Sequence, residues 1–228
     1  MGTHHIVYST TEDADTSNGT NVASFFVALQ KLSTMLQPKS SIKIKVWLLW
    51  SQGHADRYKT FVNRIPRDIE VEDLGGTATG ATTTFQTLLQ LDTVSPTDTA
   101  LHVTSAALLM PEALGVCLEA AQKHDYVSGH DSNIADQASK ITFAGGRHWR
   151  SGFPVGACFA AKIGTLLEDA ELLNKFGLDA ELAWATLVVL KQRTLVTPMP
   201  AVWAIQKQPA PPAVPWEQVQ QFVIKNAF

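Results

Sequence analysis

Residues 145–161 read GGRHWRSGFPVGACFAA and set three potential phosphate or sugar ligands, Arg147, His148 and Arg150, around Trp149. Arginine clamps phosphate oxygens through two parallel N–H bonds, and an indole offers a flat face to a sugar or a base. Three readings of the stretch stay open. Trp149 packs on the core between two solvated arginines; or His148 and Arg150 face a crevice and contact a donor or an acceptor; or Trp and Arg together form a binding patch, where both residue types are favoured. Gly152, Gly156, Ala157 and Ala160 are small enough to let the helix expected after them approach closely.

A second stretch, GGTATGATTT at residues 75–84, carries glycines that let backbone N–H groups approach a ligand. A helix start is expected just after it, where an anion is well received. The pattern is neither GxGxxG nor a P-loop, which needs Lys before Ser or Thr. No serine stands in a GxSxG turn, so a nucleophilic triad has no support. Cys117 and Cys158 lie far apart in apolar segments without a CxxC pair, and read as buried thiols rather than zinc ligands. His4 and His5 have no identifiable third metal ligand and are expected as a surface pair. Glu12, Asp13 and Asp15 read as a solvated loop, and His102, inside an apolar strand, as a satisfied core histidine. Asp125 and Asp131 flank a short strand, with Asp131 expected to line a crevice.

At 228 residues, 45% apolar and 17% charged, the chain can bury a substantial core and is not of disordered composition. The net charge of −3 announces no basic face, and Lys and Arg form no long cluster. A grip on nucleic acid would need Lys43, Lys45, Arg57, Lys59, Arg64, Arg67 and Arg147 gathered along one rim. No apolar run reaches the length of a membrane span, and MGTHHIVYST lacks the form of a signal peptide, so a cytoplasmic protein is expected, without membrane partners.

The elements that must position these residues alternate. HHIVYST, SIKIKVWLLW, RDIEVEDL, DTALHVTSA, DYVSGH and KITFAG read as strands. Helical spacing runs from Asn21 to Leu36 and returns in ADRYKTFVNRI, TTTFQTLLQL and PEALGVCLEAAQKH. AKIGTLLEDAELL and DAELAWATLVVLKQ are expected as helices, and RTLVTPMPAVWAI as an extended segment. Strands alternating with helices of about a dozen residues predict an α/β fold with a mostly parallel central sheet and helices on both faces. Ligands then belong beyond the carboxyl ends of the strands, where STTEDAD, SQGHAD, GGTATGATTT, TSAALLMP and GHDSN are read as turns. Residues 1–207 are expected as one domain. Residues 208–228 form a Pro-rich extension with a short helix, in which Val219, Phe222 and Val223 could dock on the domain or on another subunit, homo- or hetero-oligomeric.

Several segments in order resemble the small GT-A glycosyltransferases of bacteriophages that attach sugars to hydroxymethylated pyrimidines in DNA. The matching pieces are IVYSTTEDAD, GGTATGATTTFQTLLQL, DYVSGHDSN, GGRHWRSGFPVGACFAAKIGTLLEDAEL, GLDAELAWATL and TLVTPMPAVWAIQ…PWEQV, with HWR and its small residues the most distinctive. The resemblance implies a GT-A, Rossmann-like fold and a nucleotide-sugar donor, with DNA as a candidate acceptor and the host cytoplasm as the setting if the chain is viral. It further implies a donor site at Ser9, Thr10, Thr11, Glu12, Gly75, Gly76 and Thr77, with Asp131, Arg147, Trp149 and Arg150 beside the donor or acceptor. His148 and an acidic residue opening a late helix, Asp179 or Glu181, would be the catalytic candidates, though an Asp at that position is first of all a helix cap.

One departure matters. The resembled enzymes hold a divalent cation on carboxylates after the fourth strand and on a histidine after the last core strand. Here Thr104, Ser105 and Ala106 stand at the first place, and Ala204 and Ile205 at the second. Hydroxyls and methyls are poor ligands for hard cations. No metal and no separate cofactor is therefore expected. Either sugar transfer proceeds with Arg147, His148, Arg150 or Lys207 as fixed cations, or the fold persists without catalysis, as a pseudoenzyme serving as a binding or assembly subunit.

Overall fold

The computed structural model describes residues 2–10, 19–36, 42–50, 52–76, 85, 87–105, 107–137, 140–144, 158–168 and 194–205. Nine strands among them are β1 (Thr3–Ser9), β2 (Lys43–Leu49), β3 (Ile69–Asp73), β4 (Thr99–Thr104), β5 (Ala107–Leu109), β6 (Tyr126–Gln137), β7 (Lys140–Ala144), β8 (Cys158–Lys162) and β9 (Thr194–Ile205). They form one sheet in the order β3-β2-β1-β4-β8-β6-β9-β5, with β7 beside β6. β1, β2, β3 and β4 pair in parallel. β8 runs against both β4 and β6, which restores the original direction in β6 and in its parallel partner β9. The expected α/β class and dominant strand direction stand.

Alternation along β1 explains why the sheet is covered on both sides. Ile6 and Tyr8 enter a core under the helices α1 (Gly19–Leu36), α2 (Gln52–Val62) and α3 (Ala113–Ala121). Val7, between them, joins a second core on the other face with Trp47, Leu49, Phe85, Leu88, Ile163 and Leu166. In α1, Val22, Phe25, Phe26, Leu29 and Leu32 recur at helical spacing and are buried together.

Three elements differ from the sequence expectation. Residues 158–162, expected to run into a helix, are β8, and the helix begins at 163, its expected continuation beyond 168 lying outside the described residues. Alanine favours helix locally, but Ala160 and Ala161 are fully buried between β4 and β6, where small side chains fit; packing overrides propensity. Ala107–Leu109, read as part of a turn, is the strand β5. GHDSN, also read as a turn, lies within β6. β9 pairs with β6 despite its prolines because the register shifts between Ser128↔Val196 and His130↔Pro200. The shift takes Pro198, which has no N–H to give, out of the regular ladder.

His4 and His5, expected on the surface, are 5% and 1% exposed and belong to a polar cluster at the amino end of the sheet. Trp47 Nε1 donates to His5 Nδ1 at 3.1 Å, so His5 Nε2 carries the proton and donates to Asp98 Oδ2 at 3.0 Å. The amides of Thr3 and Ser95 also donate to Asp98. The Gln122 amide donates to His4 Nε2 at 3.3 Å, which leaves His4 Nδ1–H to the Thr99 hydroxyl. Asp98→Ala would strand the buried His5 N–H and two half-buried amides, a loss of about 2 kcal/mol or more, read by chemical denaturation.

Burial holds His4 down to about 4, against the pull of Asp98 and with a small push from His5. Burial likewise holds His102 down to about 3. Both folded values lie below the ordinary 6.5, so the unfolded chain takes up the protons first. The stability from the neutral rings is complete above that value and is lost as pH falls through it toward 4 and then 3. Urea denaturation at pH 7.5 and pH 5 is expected to differ by on the order of 1–2 kcal/mol for each of the two histidines, and His4→Gln should remove its share.

Candidate functional site at the carboxyl edge of the sheet

The four parallel strands end level with one another because their last residues are tied sideways. Thr10 N–H donates to the Leu49 carbonyl at 3.0 Å, Leu74 N–H to Leu48 at 2.9 Å, and Ser105 N–H to Ser9 at 2.8 Å. The result is a ledge formed by Ser9 and Thr10 after β1, Trp50 after β2, Asp73 to Gly76 after β3, and Thr104 and Ser105 closing β4. Of the residues singled out from the sequence, Ser9, Thr10, Gly75 and Gly76 are thereby brought to one edge.

Beneath the ledge Ser9 Oγ lies 2.9 Å from His102 Nε2, both groups being 1% exposed. Phe85 packs edge-on against the imidazole, with ring centroids 6.3 Å apart. His102 is thus only half satisfied: its Nδ1 is buried and meets no partner among the described residues, and the same holds for Thr10 Oγ1 and the Tyr8 hydroxyl. Tyr8 lies on the α1 side, stacked on Phe25 at 4.1 Å, and burial, with a smaller contribution from Tyr58, pushes its phenol up. Buried polar atoms are nearly always paired, so these mark unspent hydrogen-bonding capacity around the ends of β1 and β4.

The glycine turn after β3 begins with two left-handed residues, Gly75 at φ 63° and Gly76 at φ 77°. Asp73 anchors it: Oδ1 accepts the Gly75 N–H and Oδ2 accepts the Trp50 indole N–H, each at 2.9 Å. Neither Asp73 nor Trp50 was singled out from the sequence. The signal for Asp73 was present, since aspartate two residues before a glycine commonly accepts that glycine's amide.

The two places where the resembled enzymes hold a cation are brought together although they lie about a hundred residues apart. β5 follows the end of β4 directly, and its Ala107 stands opposite Ala204 of β9. Asn133 of β6 faces Ala204 from the other side. Thr104, Ser105, Ala107 and Ala204 offer neither carboxylate nor imidazole, and the described residues hold no group of three His, Cys, Asp or Glu suited to a metal. These residues do not fit the divalent ion of that family.

Asp131 stands opposite Val202 in β6, three residues beyond Ser128, which shares a row with Phe159 and His102. It therefore reaches the carboxyl end, from within a strand rather than a turn. Thr11, Glu12, Thr77, Arg147, His148, Trp149, Arg150, Asp179, Glu181 and Lys207 lie outside the described residues, as do Asp13, Asp15 and residues 208–228. Of the cations considered for a nucleic-acid rim, four stand away from the ledge. Lys43 opens β2, and Arg64 and Arg67 precede β3, all at the amino end. Lys45 is engaged by Glu70 at 3.1 Å and Glu72 at 2.9 Å, above the Trp47 ring. Among the described residues no helix is long and apolar enough to cross a membrane.

No protein family and no curated protein matches the chain in sequence. Its fold does have solved counterparts. The 4-diphosphocytidyl-2C-methyl-D-erythritol synthase of Anaerococcus prevotii superposes with a TM-score of 0.54 at 11% identity, over 100% of this chain and 99% of that one. S. aureus TarS in complex with UDP-GlcNAc superposes with a TM-score of 0.51 at 12% identity, over 92% of this chain. This chain spans 60% of that TarS chain. The fold is accordingly α/β, GT-A/Rossmann-like, with a mostly parallel central sheet.

Among the described residues nothing lies within 4 Å of a Cβ built on Gly75 or Gly76, and it is the left-handed backbone that demands glycine there. Gly76→Ala is expected to cost about 1 kcal/mol in denaturation, and Gly76→Asn measurably less, because asparagine tolerates the left-handed region.

Proposed function

We propose that the chain is a nucleotide-sugar-dependent transferase, moving a sugar from a nucleoside-diphosphate donor to a hydroxyl acceptor without the divalent site of the enzymes it resembles. The observation that carries this reading is the unspent hydrogen-bonding capacity of Thr10 and His102 near the carboxyl ends of β1 and β4, on the same edge of a GT-A-like sheet that carries the glycine turn after β3. Open α/β sheets bind ligands at this edge, and leaving a buried hydroxyl or imidazole nitrogen unpaired costs about 1–3 kcal/mol.

In this reading Ser9, Thr10, Thr11 and Glu12 hold the nucleoside, and Gly75, Gly76 and Thr77 present amides to the diphosphate, with Asp131 beside the sugar. Asp179 or Glu181, or His148 in their place, takes the proton of the acceptor hydroxyl as its oxygen attacks the anomeric carbon. The bond to the nucleoside diphosphate breaks, and Arg147, Arg150 and Lys207 neutralise the charge that develops on the leaving group. Trp149 stacks on the sugar or the acceptor base. A hydroxymethylated DNA base is the acceptor that the resemblance favours. The placement of Lys43, Arg64 and Arg67 at the amino end takes these three away from any grip on a duplex at the rim.

The alternative is a catalytically inactive GT-A-like subunit that binds or assembles, favoured by the missing carboxylates and histidine at 104–106 and 204–205. Titration calorimetry with UDP-, CDP-, ADP- and dTDP-sugars, with and without EDTA, separates the readings. The transferase reading expects binding of at least one donor, unchanged by chelator, and release of its nucleoside diphosphate when an acceptor is supplied. Binding without turnover across acceptors supports the inactive subunit, and no binding by any donor overturns the transferase reading.

A further inference from the structure

We propose that Asp73 is a positioning residue that couples the turn after β2 to the glycine turn after β3 and so sets the shape of the diphosphate cradle. The part of this inference that concerns the donor rests on the transferase reading above; the coupling itself does not. Each carboxylate oxygen is committed to a different element. Oδ2 takes the indole N–H of Trp50, which is 2% exposed and follows the last residue of β2. Oδ1 takes the amide of Gly75, the first of the two left-handed residues.

The neighbouring residues give that bridge a rigid footing. Asp73 stands opposite Leu48 in the β2–β3 register, and the Leu74 amide is itself held by the Leu48 carbonyl. Trp50 is packed into the core of the α1 and α2 face together with Tyr8 and Tyr58. The buried indole thus acts as a fixed post, and the carboxylate hangs the turn from it. Among the described residues no atom comes within 4 Å of a Cβ built on Gly75 or Gly76, so no described side chain packs on that side of the turn. An ionised acceptor strengthens both bonds relative to a neutral one.

The distinction from a merely stabilising residue can be measured. An Asn at position 73 keeps one acceptor oxygen and replaces the other with an NH2 group, which cannot accept from a second N–H. The wild-type chain, Asp73→Asn and Asp73→Glu would be compared by amide hydrogen exchange, by the Trp50 indole NMR resonance (assigned with Trp50→Phe), and by titration with UDP and CDP as probes. Expected for Asp73→Asn are a rise of at least about tenfold in exchange at Gly75, a displaced Trp50 indole resonance, and unchanged protection in β1 and β4. Nucleotide affinity should fall by about tenfold while the melting temperature moves little, and Asp73→Glu should recover part of the affinity.

Unchanged Gly75 exchange and an unmoved indole resonance in Asp73→Asn would overturn the coupling, whatever nucleotide binding does. A changed turn with wild-type nucleotide affinity would overturn its role in the cradle while leaving the transferase reading intact. If the wild type binds neither probe but the turn loosens as expected, the coupling is upheld and the donor reading fails.

Discussion

The pairing of β1 with β4 is the constraint on which the rest of this structure depends. It is central to the sheet, and polar groups lock it at both ends. At the amino end Asp98, just before β4, accepts from Thr3, Ser95 and His5, while His4 meets Thr99. At the carboxyl end Ser105 N–H returns to Ser9, and Ser9 Oγ meets His102. Between them the apolar Ile6, Val7, Tyr8, Leu101 and Val103 are at most 1% exposed. A net hydrogen bond contributes only about 1 kcal/mol, but a buried group deprived of its partner costs more, so each lock strongly favours one register.

The two ends of this seam are not equivalent. At the amino end the ring nitrogens of both His4 and His5 have partners, and the geometry fixes both tautomers. That is what a stability device looks like. At the carboxyl end His102 is satisfied on one side only, and Thr10 Oγ1 has no partner among the described residues. Glycines with left-handed backbones stand two strands away. A fold whose polar groups are fully paired at one end can hold unpaired ones rigidly at the other.

Much of this was legible in the sequence, and the misses have physical causes. The strands β1 to β4 and the helix α1 announce themselves through alternation and helical spacing in HHIVYST, KIKVWLL and VASFFVAL. β8 did not, because its CFAAK sequence carries no alternation and its alanines are selected by close packing between two strands. β9 was recognisable only as extended, since prolines mask a ladder that a register shift accommodates. At the site, glycine pairs are visible in any sequence, whereas the partners of Asp73 and His102 are set by contacts 23 and 93 residues away. The meeting of the chain after β4 with Ala204 is likewise a product of topology, although the family comparison had already linked the two places.

The most direct test of a rigid, nucleotide-receiving carboxyl edge is a map of amide chemical shifts as UDP is titrated into the 15N-labelled chain. The account predicts that shifts concentrate at Thr10, Gly75, Gly76 and Ser105, while His4, Asp98 and Gln122 stay still. Shifts centred on the amino-end cluster, or none at saturating UDP, would contradict it.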